Sequence, residues 1–144
     1  MSDTDLYEND FALWSDRQAD ALRRRAWNEL DWENVAEEIE SLGRSDRREI
    51  RSRLKVICEH LLKWQFQPDK RSTSWRTSIH NSRDKIADLI AESPSLANYP
   101  AGQLAGAYVP ARRDAAEETG IADLPETCPW TIEQVLDPDF WPES

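Results

Sequence analysis

The segment from Lys63 to Arg76 carries the residue types best suited to holding an anion. Lys63, Lys70, Arg71 and Arg76 surround Trp64, Phe66 and Trp75, and Ser72, Thr73 and Ser74 lie where a helix should begin. Free amides and the dipole at a helix start favour negative charge, and hydroxyls with arginines can hold phosphate oxygens. Lys70, Arg71, Ser72, Ser74 and Arg76 are therefore the candidate anion- or phosphate-binding residues. Bases interleaved with aromatic rings also suit single-stranded nucleic acid. A plainer reading is that the serines cap a helix, the tryptophans fill a core and the bases offset acidic neighbours.

Metal chemistry has weaker candidates. Glu37, Glu38, Glu40 and His60 are reasonable ligand types for Mn, Fe or Zn, but the Glu-x-x-His step of di-iron bundles is absent. His80, Asp84 and Asp88 stand at four-residue steps opposite the Trp75/Ile79/Ile86 stripe, which makes them a solvated face. Neither a Gly-rich phosphate loop nor a G-x-S-x-G elbow occurs, and Cys58 and Cys128 lack metal-ligand spacing. No catalytic residue, metal or cofactor is expected, and metal-dependent hydrolysis ranks last among the functions considered.

These side chains must be carried by helices. The 144 residues contain four glycines, 39% apolar residues and seven tryptophans, most of them on helical apolar stripes. The spacing predicts an all-α, single-domain antiparallel bundle of about four main helices, spanning 1–144, with short terminal and connecting helices. Residues 1–6 are expected as a tail and 121–144 as a loop and short helix packed on the bundle. Phe11, Trp14, Ala21 and Leu22 mark an N-terminal helix with a Ser15/Gln18 capping box, ending near Arg25. Pro68 stops a long helix, and Ser72 or Ser74 caps the next, which closes at Ser93-Pro94. Pro100 opens a helix with Leu104, Tyr108, Ala111 and Ala115 facing inward, a kink at Pro110 and Gly120 beyond its end. Glu117-Glu118 near its end opposes the dipole, so exposure or a partner is needed. Thr131 and Gln134 repeat the capping-box spacing, and Phe140 and Trp141 pin the tail. Cys58 reads as a small core residue.

Charge is segregated along the chain. The formal net charge of −10 divides into −8 over residues 1–43, +7 over 44–85 and −9 over 86–144. Trp32, Val35, Ala36, Ile39 and Leu42 form one apolar face, and Ile50, Leu54, Ile57, Leu61 and Trp64 form another. With Gly43-Arg44-Ser45 read as a turn, the two become an antiparallel hairpin whose level residues sum to about 88. Glu40 then meets Arg48, Glu37 meets Arg51 and Glu33 meets Lys55. Each exposed pair is worth only ~0–1 kcal/mol, so the larger role of these inter-helix pairs would be to fix register.

Several runs resemble the bacterial "domain of unknown function 29" family. They are Tyr7-Glu8-Asn9-Asp10-Phe11, Ala36-Glu37-Glu38-Ile39-Glu40-Ser41-Leu42-Gly43-Arg44 and His60-Leu61-Leu62-Lys63-Trp64-Gln65. Ser74-Trp75-Arg76, Glu92-Ser93-Pro94-Ser95-Leu96 and Cys128-Pro129-Trp130-Thr131 continue the match, which covers nearly the whole chain from Asp5 to Pro142. The resemblance implies an almost entirely helical cytoplasmic protein and no assigned activity.

The leading expectation is a non-enzymatic protein-interaction or regulatory module, binding a protein partner or forming a homo-oligomer, because segregated charge favours steered association. Nucleic-acid or phosphate-ligand binding is the alternative, opposed by the overall acidity and kept open by the basic middle. The acidic Met1–Asp5 start has neither a basic nor an apolar run, and no stretch approaches the ~20 apolar residues that span a bilayer. A cytoplasmic location with free thiols and no membrane partner is expected.

Overall fold

The computed structural model describes residues 2–143. Among them lie six α-helices and no strand: α1 (Asp3–Asn9), α2 (Phe11–Arg24), α3 (Trp32–Phe66), α4 (Thr73–Glu92), α5 (Tyr99–Thr119) and α6 (Ile132–Leu136). The chain is an all-α helical bundle, as the periodicity predicts. It divides into two compact units, Met1–Ser45 and Asp46–Ser144, and α3 runs through the boundary.

In the first unit, Ser2 Oγ accepts the Asp5 amide and the Asp5 carboxylate accepts the Ser2 amide, a reciprocal cap that starts α1 where a tail was expected. Asp10 caps α2 by accepting the Leu13 amide at 3.1 Å. The expected Ser15/Gln18 box does not form. Ser15 lies inside α2 with its hydroxyl donating to Ala12 O, and Gln18 is buried. The Gln18 amide donates to Asp3 at 3.0 Å and its oxygen accepts the Asp31 amide at 2.7 Å, so it stitches α1 to the segment after α2. Helix α2 ends at Arg25 in the left-handed region (φ 58°), close to the expected stop.

The hairpin is the principal correction. Gly43, Arg44 and Ser45 lie within one 35-residue helix, so the chain does not reverse there and Ser45 caps nothing. Along a single rod, Glu33 and Lys55, Glu37 and Arg51, and Glu40 and Arg48 are separated by two or more turns and cannot pair side by side. Arg44 instead reaches Glu37 at 2.6 Å and Glu40 at 3.5 Å on its own helix. Arg51 donates to the Tyr99 hydroxyl, and Lys55 pairs with Asp114 of α5 at 2.6 Å.

The second unit buries Ile50, Leu54, Ile57 and Leu61 of α3 against Ile79 and Ile86 of α4 and Tyr108, Ala111 and Ala115 of α5. Proline and serine set its corners. Pro68 turns the chain after α3, Ser72 accepts the Trp75 amide at 3.2 Å, and Gly120 ends α5 at φ 74°. Thr131 and Gln134 make the expected capping box before α6. Helix α5 continues through Pro110. Phe140 and Trp141 pack on the core, and buried Arg83 ties this tail down by donating to Val135 O at 2.8 Å and Phe140 O at 3.0 Å.

Candidate functional site

Helix α3 ends at Phe66, leaving its last carbonyls without amide partners. The turn through Pro68–Lys70 brings Arg71 back over that end, where Nε donates to Trp64 O at 2.8 Å. The Arg71 guanidinium lies 4.9 Å from the Trp64 ring centroid, and Arg76, one turn into α4, lies 5.2 Å from it. Trp141 arrives from the tail with its ring 4.6 Å from Trp64, 5.3 Å from Arg76 and 5.4 Å from Arg83. Cations and rings thus alternate. Each contact of a guanidinium with a ring face is worth ~0.5–1 kcal/mol when exposed, which offsets crowding three arginines together.

Trp64, Arg71, Arg76, Trp141, Pro142 and Glu143 line a cleft of about 460 Å³. Two of the five candidate anion residues, Arg71 and Arg76, are brought into it. Ser72 spends its oxygen on the cap, while Ser74 and Lys70 are exposed and do not line the cleft. Glu143 at the rim opposes an anion. Trp141 was visible in sequence only as a tail anchor, since nothing in its spacing links it to Trp64.

Lys63 is not part of this cleft. It is only 7% exposed, its ammonium pairs with Glu118 of α5 at 2.8 Å and it lies 5.1 Å from the Trp75 ring. This supplies the partner that Glu118 needed against its own helix dipole. Glu59 joins the same seam by hydrogen bonding to Glu118. Burial, then that bond to a second carboxylate, pushes the Glu59 carboxyl up to about 7. Glu118 is held below its usual value, first by Lys63. The pair can therefore hold one proton near neutrality.

A raised carboxyl binds protons more tightly in the folded chain. Its stabilisation is complete below the usual Glu value and is lost as pH rises through about 7. Glu118 has the opposite sign, losing its contribution on acidification. Glu59→Gln should remove the decline in urea midpoint between pH 5 and pH 7.5. An unchanged decline in that variant would assign the proton elsewhere.

The proposed metal ligands are otherwise engaged. Glu38 accepts the Tyr7 hydroxyl at 2.5 Å, and His60 Nδ1 donates to Val56 O at 2.8 Å, with burial holding its pKa below the usual value. His80 packs edge-on against Trp141, 5.4 Å between centroids. Among the described residues no three His, Cys, Asp or Glu side chains are grouped to hold a metal ion. None of these helices is long and apolar enough to cross a membrane.

The first unit shows a different surface. Trp32, Ile39 and Leu42, expected inside the hairpin, are 59%, 64% and 71% exposed. They recur at steps of seven and three, so they share one stripe of α3. Glu33, Glu37 and Glu40 form a separate row, roughly 80–140° round the helix from Trp32 on the side away from Ile39 and Leu42.

No curated protein and no solved structure matches the chain. A family model does, over residues 6–141, and the chain belongs to that family, described as Domain of unknown function DUF29.

Proposed function

We propose that the protein is a non-enzymatic interaction module that docks a helix of a partner protein on the N-terminal half of α3. The observation that carries this reading is the exposed row Trp32, Ile39 and Leu42. Burying a large apolar side chain is worth roughly 1.5–3 kcal/mol, so a continuous stripe of three is a strong anchor for a helical partner. The neighbouring acidic row selects among partners. Glu37 and Glu40 share Arg44, which leaves the row with Glu33 still net negative. A basic amphipathic helix would therefore be attracted and steered, and two copies would gain no charge attraction from it. A cytoplasmic location goes with this reading, as do the two free thiols.

The test is capture of a partner from the native host by the full chain, with size-exclusion light scattering of the purified protein. Ile39→Glu and Leu42→Glu should each weaken the captured complex at least tenfold, while leaving stability within about 0.5 kcal/mol because both sites are exposed. A monomer that retains no partner, or a partner indifferent to both variants, would count decisively against the reading.

A second reading is anion binding in the Arg71/Arg76 cleft. The observation favouring it is that Arg76 contacts two rings and, among the described residues, no carboxylate. Salt-sensitive binding of an oligonucleotide or inorganic phosphate, abolished by Arg76→Glu, would support it. Binding that ignores salt or survives Arg76→Glu would exclude it.

A further inference from the structure

Cys58 and Cys128 stand 70 positions apart in sequence, and the fold packs Cys128 against the core cluster that holds Cys58, so that each thiol biases the ionisation of the other. Cys58 is fully buried in the C-terminal part of α3, and Cys128 is half-buried in the irregular stretch between α5 and α6. That stretch is fastened on both sides of Cys128. Before it, the Tyr108 hydroxyl donates to Pro125 O at 2.6 Å and Arg112 donates to Leu124 O at 2.9 Å. After it, the Trp130 ring packs edge-on to Tyr108, and the Cys128 thiol donates to Trp130 O at 3.4 Å. The backbone therefore holds one accessible sulfur over one inaccessible sulfur.

We propose that Cys58 and Cys128 form a reversible dithiol–disulfide site oxidised by hydroperoxides, with Cys128 as the attacking thiol and Cys58 as the resolving one. Accessibility assigns the roles, since only Cys128 can meet a solvent-borne oxidant. The neighbouring Cys58 thiol holds the Cys128 thiol down at about 7, whereas Cys58, beside Cys128 and buried, stays well above the ordinary value. A low thiol pKa, partial exposure and an adjacent resolving thiol are the conditions under which a cysteine is oxidised selectively.

The steps balance. Cys128 releases its proton, and its thiolate attacks the hydroperoxide. An S–O bond forms, the O–O bond breaks, and the leaving oxygen takes up a proton to depart as alcohol or water. The sulfur of Cys58 then attacks the sulfenic sulfur. The S–S bond forms, the S–O bond breaks, and water leaves with the Cys58 proton. Two thiols lose two electrons and two protons, and one hydroperoxide is reduced. The product ties the 120–131 stretch covalently to α3.

The experiment treats the reduced full-length chain with stoichiometric hydrogen peroxide. The expected result is an intact mass lower by two hydrogens, a Cys58–Cys128 cross-linked peptide after digestion, and reversal by dithiothreitol. Cys58→Ala should stop at a Cys128 sulfenic acid that dimedone traps. Cys128→Ser should be oxidised at least tenfold more slowly than wild type. In wild type, alkylation of Cys128 should rise with pH through a midpoint near 7. An unchanged mass, disulfides only between chains, or Cys128→Ser oxidised as fast as wild type would each overturn the proposal.

Discussion

Arg83→Met is expected to destabilise the second unit by about 3 kcal/mol or more and to free residues 132–143 from the core. Arg83 is 4% exposed, and its Nε and Nη2 serve the carbonyls of Val135, Gln134 and Phe140 at 2.8 to 3.4 Å. Hydrogen bonds from a charged group contribute ~1.5–3 kcal/mol each, and methionine supplies the stem but no donor. Val135 O and Phe140 O would then lose this donor, while Gln134 O keeps the Asp137 amide at 3.2 Å. Burial depresses the guanidinium pKa, but arginine remains protonated throughout the ordinary pH range. Arg83→Lys should fall between the two, because a point ammonium cannot reach both Val135 and Phe140 with a planar fork. Urea denaturation gives the size of the loss, and amide exchange over 132–140 gives its location. A variant within about 0.5 kcal/mol of wild type would show that the tail is held by Trp141 and Phe140 alone.

Gly43→Pro is expected to cost about 3 kcal/mol of helix stability and to lower the helical circular-dichroism signal. Inside α3, proline at this position removes an amide from the i to i−4 ladder and drives its ring against the carbonyl of Ile39. At a turn between two helices the same substitution would be mild or neutral. The experiment therefore distinguishes a continuous α3 from the hairpin that the charge pattern suggested. A neutral Gly43→Pro would return the hairpin, and with it the burial of Trp32, Ile39 and Leu42.

That hairpin shows where local reasoning reached its limit. A glycine beside Arg44-Ser45 has the composition of a turn, and apolar stripes on both sides of it are equally compatible with one long helix. Glycine inside a helix costs only ~1 kcal/mol relative to alanine, less than an uninterrupted ladder returns. The acid and base rows added a false confirmation. Matched charges satisfy an antiparallel pairing rule, yet each exposed pair is too weak to bend a helix. Lys55 and Lys63 found their acids on α5, at Asp114 and Glu118.

The candidate site was legible in its components and obscure in its assembly. Arg71 and Arg76 were identifiable from type and spacing, and Ser72 as a cap. Trp141 was not, because its place against Trp64 depends on Arg83 anchoring the tail. Cys58 and Cys128 read as unrelated thiols for the same reason.

By itself, the sequence determined the helical class, the stops at Pro68 and Ser93-Pro94, the Gly120 end of α5, the Thr131 cap and the family. Those features are set by interactions within one or two helical turns. Tertiary structure alone decided that α3 is continuous, that Lys63 is buried, and which residues stand beside Trp64 and Cys58. Lys63 meets Glu118 across 55 positions, Cys58 lies near Cys128 across 70 and Trp64 meets Trp141 across 77. Such contacts are selected by packing and by the need to satisfy buried polar groups, which no local pattern encodes.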